Sequence, residues 1–133
     1  MIPPFVENGY LPPGIHSATL DEIAARFGRE SELRRVQMES LGWLVELAKR
    51  IGAERLIING SFVTDVLEPN DVDCVLLIPP RSRNDPVAET ELLAGLPFVD
   101  VKLVRRRAFK VFVESIFATD RFLTPKGMIE VIL

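Results

Sequence analysis

The sequence predicts an α/β (α+β) domain, a small mixed sheet packed against helices. Short β-like runs at "ERLIING", "DVDCVLLI" and "FVDVKLV" are separated by stretches with a helical apolar period. Capping residues and glycines stand where those helices should start and stop. A chain of 133 residues has room for one such layered domain and not for two.

Residues 1–18, with "PPF" and "LPPG", read as an extended, proline-stiffened arm. Thr19-Leu20-Asp21-Glu22 has the T-x-x-E form of a capping box, so a short helix follows and stops at Gly28. A longer helix starts near Ser31 and ends at Gly52, with Leu33, Val36, Leu41, Leu44, Ala48 and Ile51 along one apolar stripe. Leu56, Ile57 and Ile58 are all apolar, as in a strand covered on both faces. Asp71 to Ile78 forms the second strand, and "PPRSRNDP" a proline-punctuated loop. "VAETELLAGL" is a short helix ending at Gly95. From Phe98 to Val104 the alternation sets Val99, Val101 and Leu103 on one face, and Asp100 and Lys102 on the other. Ala108 to Phe122 is helical, "TPKG" a turn, and "MIEVIL" a last strand.

Composition narrows the function. Hydrophobic residues make up 47% and charged residues 26%, an ordinary globular mix. A net charge of −3 and a pI near 5.2 argue against a wholly basic nucleic-acid binder. Cys74 is the only cysteine, so no internal disulfide forms, which fits a reducing, cytoplasmic setting. "MIPPFVENGY" lacks the basic and apolar regions of a signal peptide. No apolar run approaches the roughly 20 residues that span a bilayer, so no membrane partner is expected.

The chemistry is concentrated in "INGSFVTDVLEPNDVDCVLLIP". In a strand, Asp71 and Asp73 share a face while Val72 and Cys74 point the other way. Asp100 lies on another strand with apolar neighbours on either side. Pairing of those two strands would bring three carboxylates together. Such a set repels itself unless cations neutralise it. Carboxylate oxygens are the hard ligands Mg²⁺ prefers. Two such ions about 4 Å apart assist an in-line phosphoryl displacement. At Gly60-Ser61, a glycine at a strand end lets backbone amides approach a phosphate, and the serine hydroxyl adds a donor. "SFVTDVL" reads as a short helix whose N-terminus points at the same place.

Asn59-Gly60-Ser61 followed by Asp71-Val72-Asp73-Cys74 resembles the motif of the DNA polymerase β-type nucleotidyltransferase superfamily. Asp100 matches its third carboxylate. More widely, Leu11 to Thr19, "GSFVT…PNDVD" and "PKG" are similar to a group of uncharacterised small prokaryotic proteins of nucleotidyltransferase type. The resemblance implies a minimal nucleotidyltransferase fold over residues 1–133, two Mg²⁺ (or Mn²⁺) ions and an NTP. It implies metal ligation and catalysis by Asp71, Asp73 and Asp100, the last helping to deprotonate an acceptor hydroxyl. Gly60, Ser61 and Lys102 would bind phosphate. The acceptor it implies is a tRNA end, a protein side chain or a small molecule such as an aminoglycoside, and the setting of some relatives is toxin–antitoxin. Phe62 to Asp65 reads "FVTD", where small relatives often carry a basic residue.

Alternatives stand beside these readings. The chain would otherwise be a degenerate nucleotidyltransferase-fold module that binds a nucleotide or a partner protein without turnover, or an adaptor whose "MIEVIL" edge pairs with another chain. "PND" is a favoured turn, which would make Asp71 a turn residue and Asp73 a solvated one. Lys102 either reaches a phosphate or offsets the carboxylates. Arg105, Arg106 and Arg107 read as a solvated face ahead of an RNA contact. Arg81 and Arg83 read as surface-loop residues ahead of substrate capture. His16 reads as a packing or capping residue, and Cys74, Trp43 and the phenylalanines as core.

Overall fold

A computed structural model describes residues 1–80 and 85–133. The expected roles of Arg81 and Arg83 lie outside the described residues.

Five strands form one mixed sheet in the order β1-β5-β2-β3-β4. They are β1 (Gly14–Ala18), β2 (Arg55–Asn59), β3 (Val72–Leu77), β4 (Val99–Val104) and β5 (Gly127–Val131). β2 pairs antiparallel with β3 and with β5. β3 pairs parallel with β4, and β1 parallel with β5. The helices are α1 (Leu20–Phe27), α2 (Glu32–Ile51), α3 (Pro86–Ala94) and α4 (Arg106–Val111). Among the described residues no helix is long and apolar enough to cross a membrane.

The capping signals act as the sequence predicts. Thr19 and Glu22 form a reciprocal capping box on α1, which ends at Gly28. Ser31 caps α2, and Gly52 closes it in the left-handed conformation at φ 73°. Asp85 caps α3 and also makes a two-pronged contact with Arg50 at 2.9 and 3.0 Å, tying α3 to the end of α2.

Period-2 alternation separates two cores. One face carries Ala18, Leu56, Ile58, Val72, Cys74, Leu76, Ile129 and Val131, buried beneath Ile23 and Phe27 of α1, Leu41, Leu44 and Ala48 of α2, and Leu92 of α3. The other face carries Ile57, Val75, Leu77 and Met128 under Phe109 and Phe117. That second cover is small. It consists of α4 and a one-turn π segment (Phe112–Ile116) closed by the Phe117 N–H on the Phe112 carbonyl at 2.7 Å. The ends of β3 and β4 that carry Asp73, Asp100 and Lys102 stay beyond it, with Asp100 and Lys102 exposed.

Several elements differ from the sequence reading. The proline-rich arm ends in a strand, because residues 14–18 form β1 along β5. β5 is therefore an inner strand between β1 and β2, and its edge is not free for another chain. The helix expected over "SFVTDVL" is only a three-residue 3₁₀ turn, Ser61–Val63, too short to supply a dipole. The helix expected from Ala108 to Phe122 is α4 plus the π segment, and β3 starts at Val72 rather than Asp71. Trp43 is 45% exposed, and Phe98 and Phe122 are exposed too, so these aromatics are not core.

Candidate functional site

Asp73 and Asp100 are direct register partners on the parallel strands β3 and β4, so their side chains leave the same face side by side. Asn59 is the register partner of Asp73 across β2, on the same face. Asn59 is 3% exposed and its Oδ1 has no hydrogen-bond partner. A buried, unpaired acceptor costs on the order of 1–3 kcal/mol, so such a position normally meets a donor or a cation. Asp71 lies one residue before β3 and is exposed.

Gly60 joins Asn59 to the 3₁₀ turn at φ 80°, ψ −165°, a backbone region confined to glycine. A Cβ built there would collide with Asp73 Oδ2 and approach Asp73 Cγ to 3.0 Å. The Asp73 carboxylate thus lies against the bare backbone of the Gly-Ser turn. Ser61 follows, half-buried. Its carbonyl takes the Thr64 hydroxyl at 2.7 Å and the Thr64 N–H at 3.2 Å, and among the described residues its own hydroxyl has no partner.

Burial is the main cause that raises the Asp73 pKa above its ordinary range, with Asp100 and then Asp71 adding repulsion. Lys126 and Lys102 pull it back. Lys102 Nζ sits 3.2 Å from Asp100 Oδ1, with about half of each side chain exposed at 54% and 50%. Lys102 is thus paired with one of the carboxylates. Lys126 stands just before β5, half-buried. Desolvation lowers its pKa most, against an opposing pull from Asp73 and Asp120.

The segment between Gly-Ser and Asp71 is held from α2. Arg34 is 2% exposed and donates to the carbonyls of Phe27 at 3.0 Å, Phe62 at 2.8 Å, Thr64 at 2.9 Å and Val66 at 3.1 Å. Gln37 Nε2 donates to the Pro69 carbonyl at 2.7 Å. Two helix side chains therefore hold the loop that joins Ser61 to Asp71. Sequence reasoning missed both, and missed Asn59 and Lys126. The signal for Arg34 and Gln37 was the spacing itself. Stepping back from Leu41 by four gives 37, and from there by three gives 34, both buried, whereas Leu33 and Val36 are only half-buried.

Arg105, Arg106 and Arg107 are exposed, as a solvated face would be. Arg105 donates to the Pro79 carbonyl, and Arg106 lies 3.6 Å from Glu54. His16 Nε2 donates to the Pro12 carbonyl at 2.7 Å, a local packing role. Cys74 is buried in the helix-covered core, away from Asp73, and burial pushes its thiol pKa well up.

Among the described residues, no three carboxylate, histidine or cysteine side chains form a ready cation site. The Asp73 and Asp100 carboxylates with Asn59 Oδ1 are hard oxygen donors suited to one Mg²⁺ or Mn²⁺. A two-ion site is not preassembled.

A family model matches residues 3–132, that of a family of unknown function, DUF6932, and the chain belongs to it. No curated protein and no solved structure matches the chain.

Proposed function

We propose that this DUF6932 chain is a metal-dependent nucleotidyltransferase that moves an NMP from an NTP to a hydroxyl acceptor. One observation carries the reading. The Asp73–Asp100 pair lies on the open part of the sheet, and Asp73 rests against a glycine turn that tolerates no side chain. Paired carboxylates beside a glycine turn suit a metal-bound phosphate chain.

In this reading Asp73, Asp100 and Asn59 would hold one divalent ion, with Asp71 close enough to affect Asp73 electrostatically. The ion, when bound, would neutralise charge on the phosphates. The turn at Gly60 and the Ser61 hydroxyl orient the phosphate chain. Asp100, exposed at the sheet's edge strand, takes the proton of the acceptor hydroxyl. The hydroxyl oxygen bonds to the α-phosphorus, the bond to the β-phosphate bridge breaks, and pyrophosphate leaves. The acceptor class stays as broad as the sequence resemblance makes it: a tRNA, a protein or a small molecule, with a toxin–antitoxin setting and a cytoplasmic location among its implications.

A second reading has its own support. Asp100 is engaged by Lys102, and among the described residues no three-carboxylate cation site stands ready. Both features favour a degenerate module that binds a nucleotide or a partner protein without turnover. Incubation with α-³²P-labelled NTPs and Mg²⁺ or Mn²⁺, with tRNA, protein and the chain itself as acceptors, separates the two. Label transfer that Asp73→Asn abolishes supports the enzyme. Saturable nucleotide binding without transfer supports the module.

A further inference from the structure

We infer that Lys126, in the Pro125-Lys126-Gly127 turn, is the side chain that receives the ligand's phosphate chain at the Asp73–Gly60 site; this rests on the nucleotidyl reading above.

Asp73 lies against Gly60, Asp100 and Asp71 add their negative charge to its surroundings, and residues 61–66 supply no Lys or Arg. One divalent ion leaves that set negative, so a polyphosphate arriving there meets repulsion unless the protein adds a cation. Lys102 is engaged with Asp100 at 3.2 Å and is exposed. Arg121 is exposed with its guanidinium over the Phe122 ring, 5.2 Å from the centroid. Lys126 differs from both. It is half-buried and interacts electrostatically with Asp73 first and Asp120 second, yet it makes no ion pair within 4.0 Å among the described residues.

The backbone places it there. Lys126 is two residues before Met128 and leads directly into β5, the neighbour of β2. Its N–H bonds to the Ala118 carbonyl at 3.0 Å, and Pro125 bridges to Thr119, so both sides of the lysine are held. The next residue must be glycine, because a Cβ on Gly127 would collide with the Pro12 carbonyl oxygen and meet Leu11 Cβ at 2.9 Å. The N-terminal arm therefore clamps the turn that carries the lysine.

Asn59 is the independent sign that something binds here. Its Oδ1 is a buried acceptor without a partner, on the sheet face of Asp73. This acceptor suits a metal ion or an ammonium group. The phosphate must be met by donors, and among the described residues neither the Lys126 ammonium nor the Ser61 hydroxyl makes a hydrogen bond or ion pair.

The test titrates inorganic tripolyphosphate and α,β-methylene ATP into the full chain by calorimetry with Mn²⁺ present. Lys126→Met keeps the apolar stem and removes the charge, Lys126→Arg keeps the charge, and Lys126→Gln replaces Lys126→Met should that variant not fold. Mn²⁺ binding alone is followed by electron paramagnetic resonance. Lys126→Met should bind both phosphate probes about tenfold or more weakly, the size of a lost hydrogen bond to a charged group. Lys126→Arg should stay near wild type, and Mn²⁺ alone should bind Lys126→Met at least as well as wild type. Unchanged probe affinity in Lys126→Met overturns the inference and leaves the nucleotidyl reading standing. A wild-type chain that binds neither probe overturns both.

Discussion

Asp73 fills the space that a side chain on Gly60 would need. This contact joins the Gly-Ser turn to the D-x-D strand across the β2–β3 pair. Gly60→Ala should therefore suffer twice, from a backbone strained at φ 80° and from collision with the carboxylate. The strain alone should cost roughly 1–3 kcal/mol. Asp73→Ala removes the carboxylate but not the strain. In urea unfolding, Gly60→Ala should cost clearly less in an Asp73→Ala background than in wild type. Equal costs in both backgrounds would mean that the turn relaxes away from Asp73.

The same burial makes Asp73 a pH-dependent liability. Its folded pKa is raised above the ordinary 3.8. The folded state thus holds this proton more tightly than the unfolded one. The group's favourable contribution is complete below 3.8 and is lost as pH rises through the raised folded value. Without metal, Asp73→Asn should melt above wild type at pH 7, and the gap should close as pH falls toward the ordinary value. Millimolar Mn²⁺ should reverse the order at pH 7, because an ion that binds only the folded wild type stabilises it by mass action. Melting curves with Mn²⁺ and with EDTA check both signs. A gap that Mn²⁺ leaves unchanged would remove Asp73 from the metal ligands.

Alternation made half of the site legible. Asp73 and Asp100 each have apolar neighbours on both sides, and a parallel β3–β4 pairing then sets them side by side. The other half depends on partners distant in sequence. Lys126 reaches the site because β5 lies beside β2, and a lysine between proline and glycine reads locally as a turn. The run from Gly14 to Ala18 becomes a strand because β5 offers it an edge, which the prolines before it do not announce. Trp43 sits on the outer side of α2, where its size suggested core. Arg34 and Gln37 were hidden by the opposite error: the stripe was traced through apolar residues, while its buried line at that end is polar and serves the loop over 61–70.

That loop yields a third prediction. Arg34→Met keeps bulk but leaves the carbonyls of Phe27, Phe62 and Thr64 without their donor. Each orphaned carbonyl costs on the order of 1–3 kcal/mol, and partial relaxation keeps the total below their sum. We expect a loss of about 3 kcal/mol or more in urea unfolding, large for one side chain. A variant as stable as wild type would show that Gln37 and Thr64 hold the loop unaided.

Ser61 and Thr64 divide two roles that lie three residues apart. Thr64 is buried; its hydroxyl donates to the Ser61 carbonyl at 2.7 Å and takes the Val66 N–H at 3.3 Å. It builds the turn. The Ser61 hydroxyl has no partner among the described residues and stands beside the bare backbone of Gly60. Thr64→Val should cost about 1–2 kcal/mol of stability, the worth of two modest hydrogen bonds. Ser61→Ala should stay within about 0.5 kcal/mol of wild type, as surface changes without a lost contact do. Nucleotide affinity should move the other way. With Mn²⁺ and α,β-methylene ATP, Ser61→Ala should weaken binding by roughly 1–3 kcal/mol through a missing donor to a charged oxygen. Thr64→Val, measured below its melting range, should bind as wild type does. Calorimetry on both variants separates the roles. A Ser61→Ala chain that melts early but binds normally would return Ser61 to the turn and leave the backbone of Gly60 as the phosphate contact on that side.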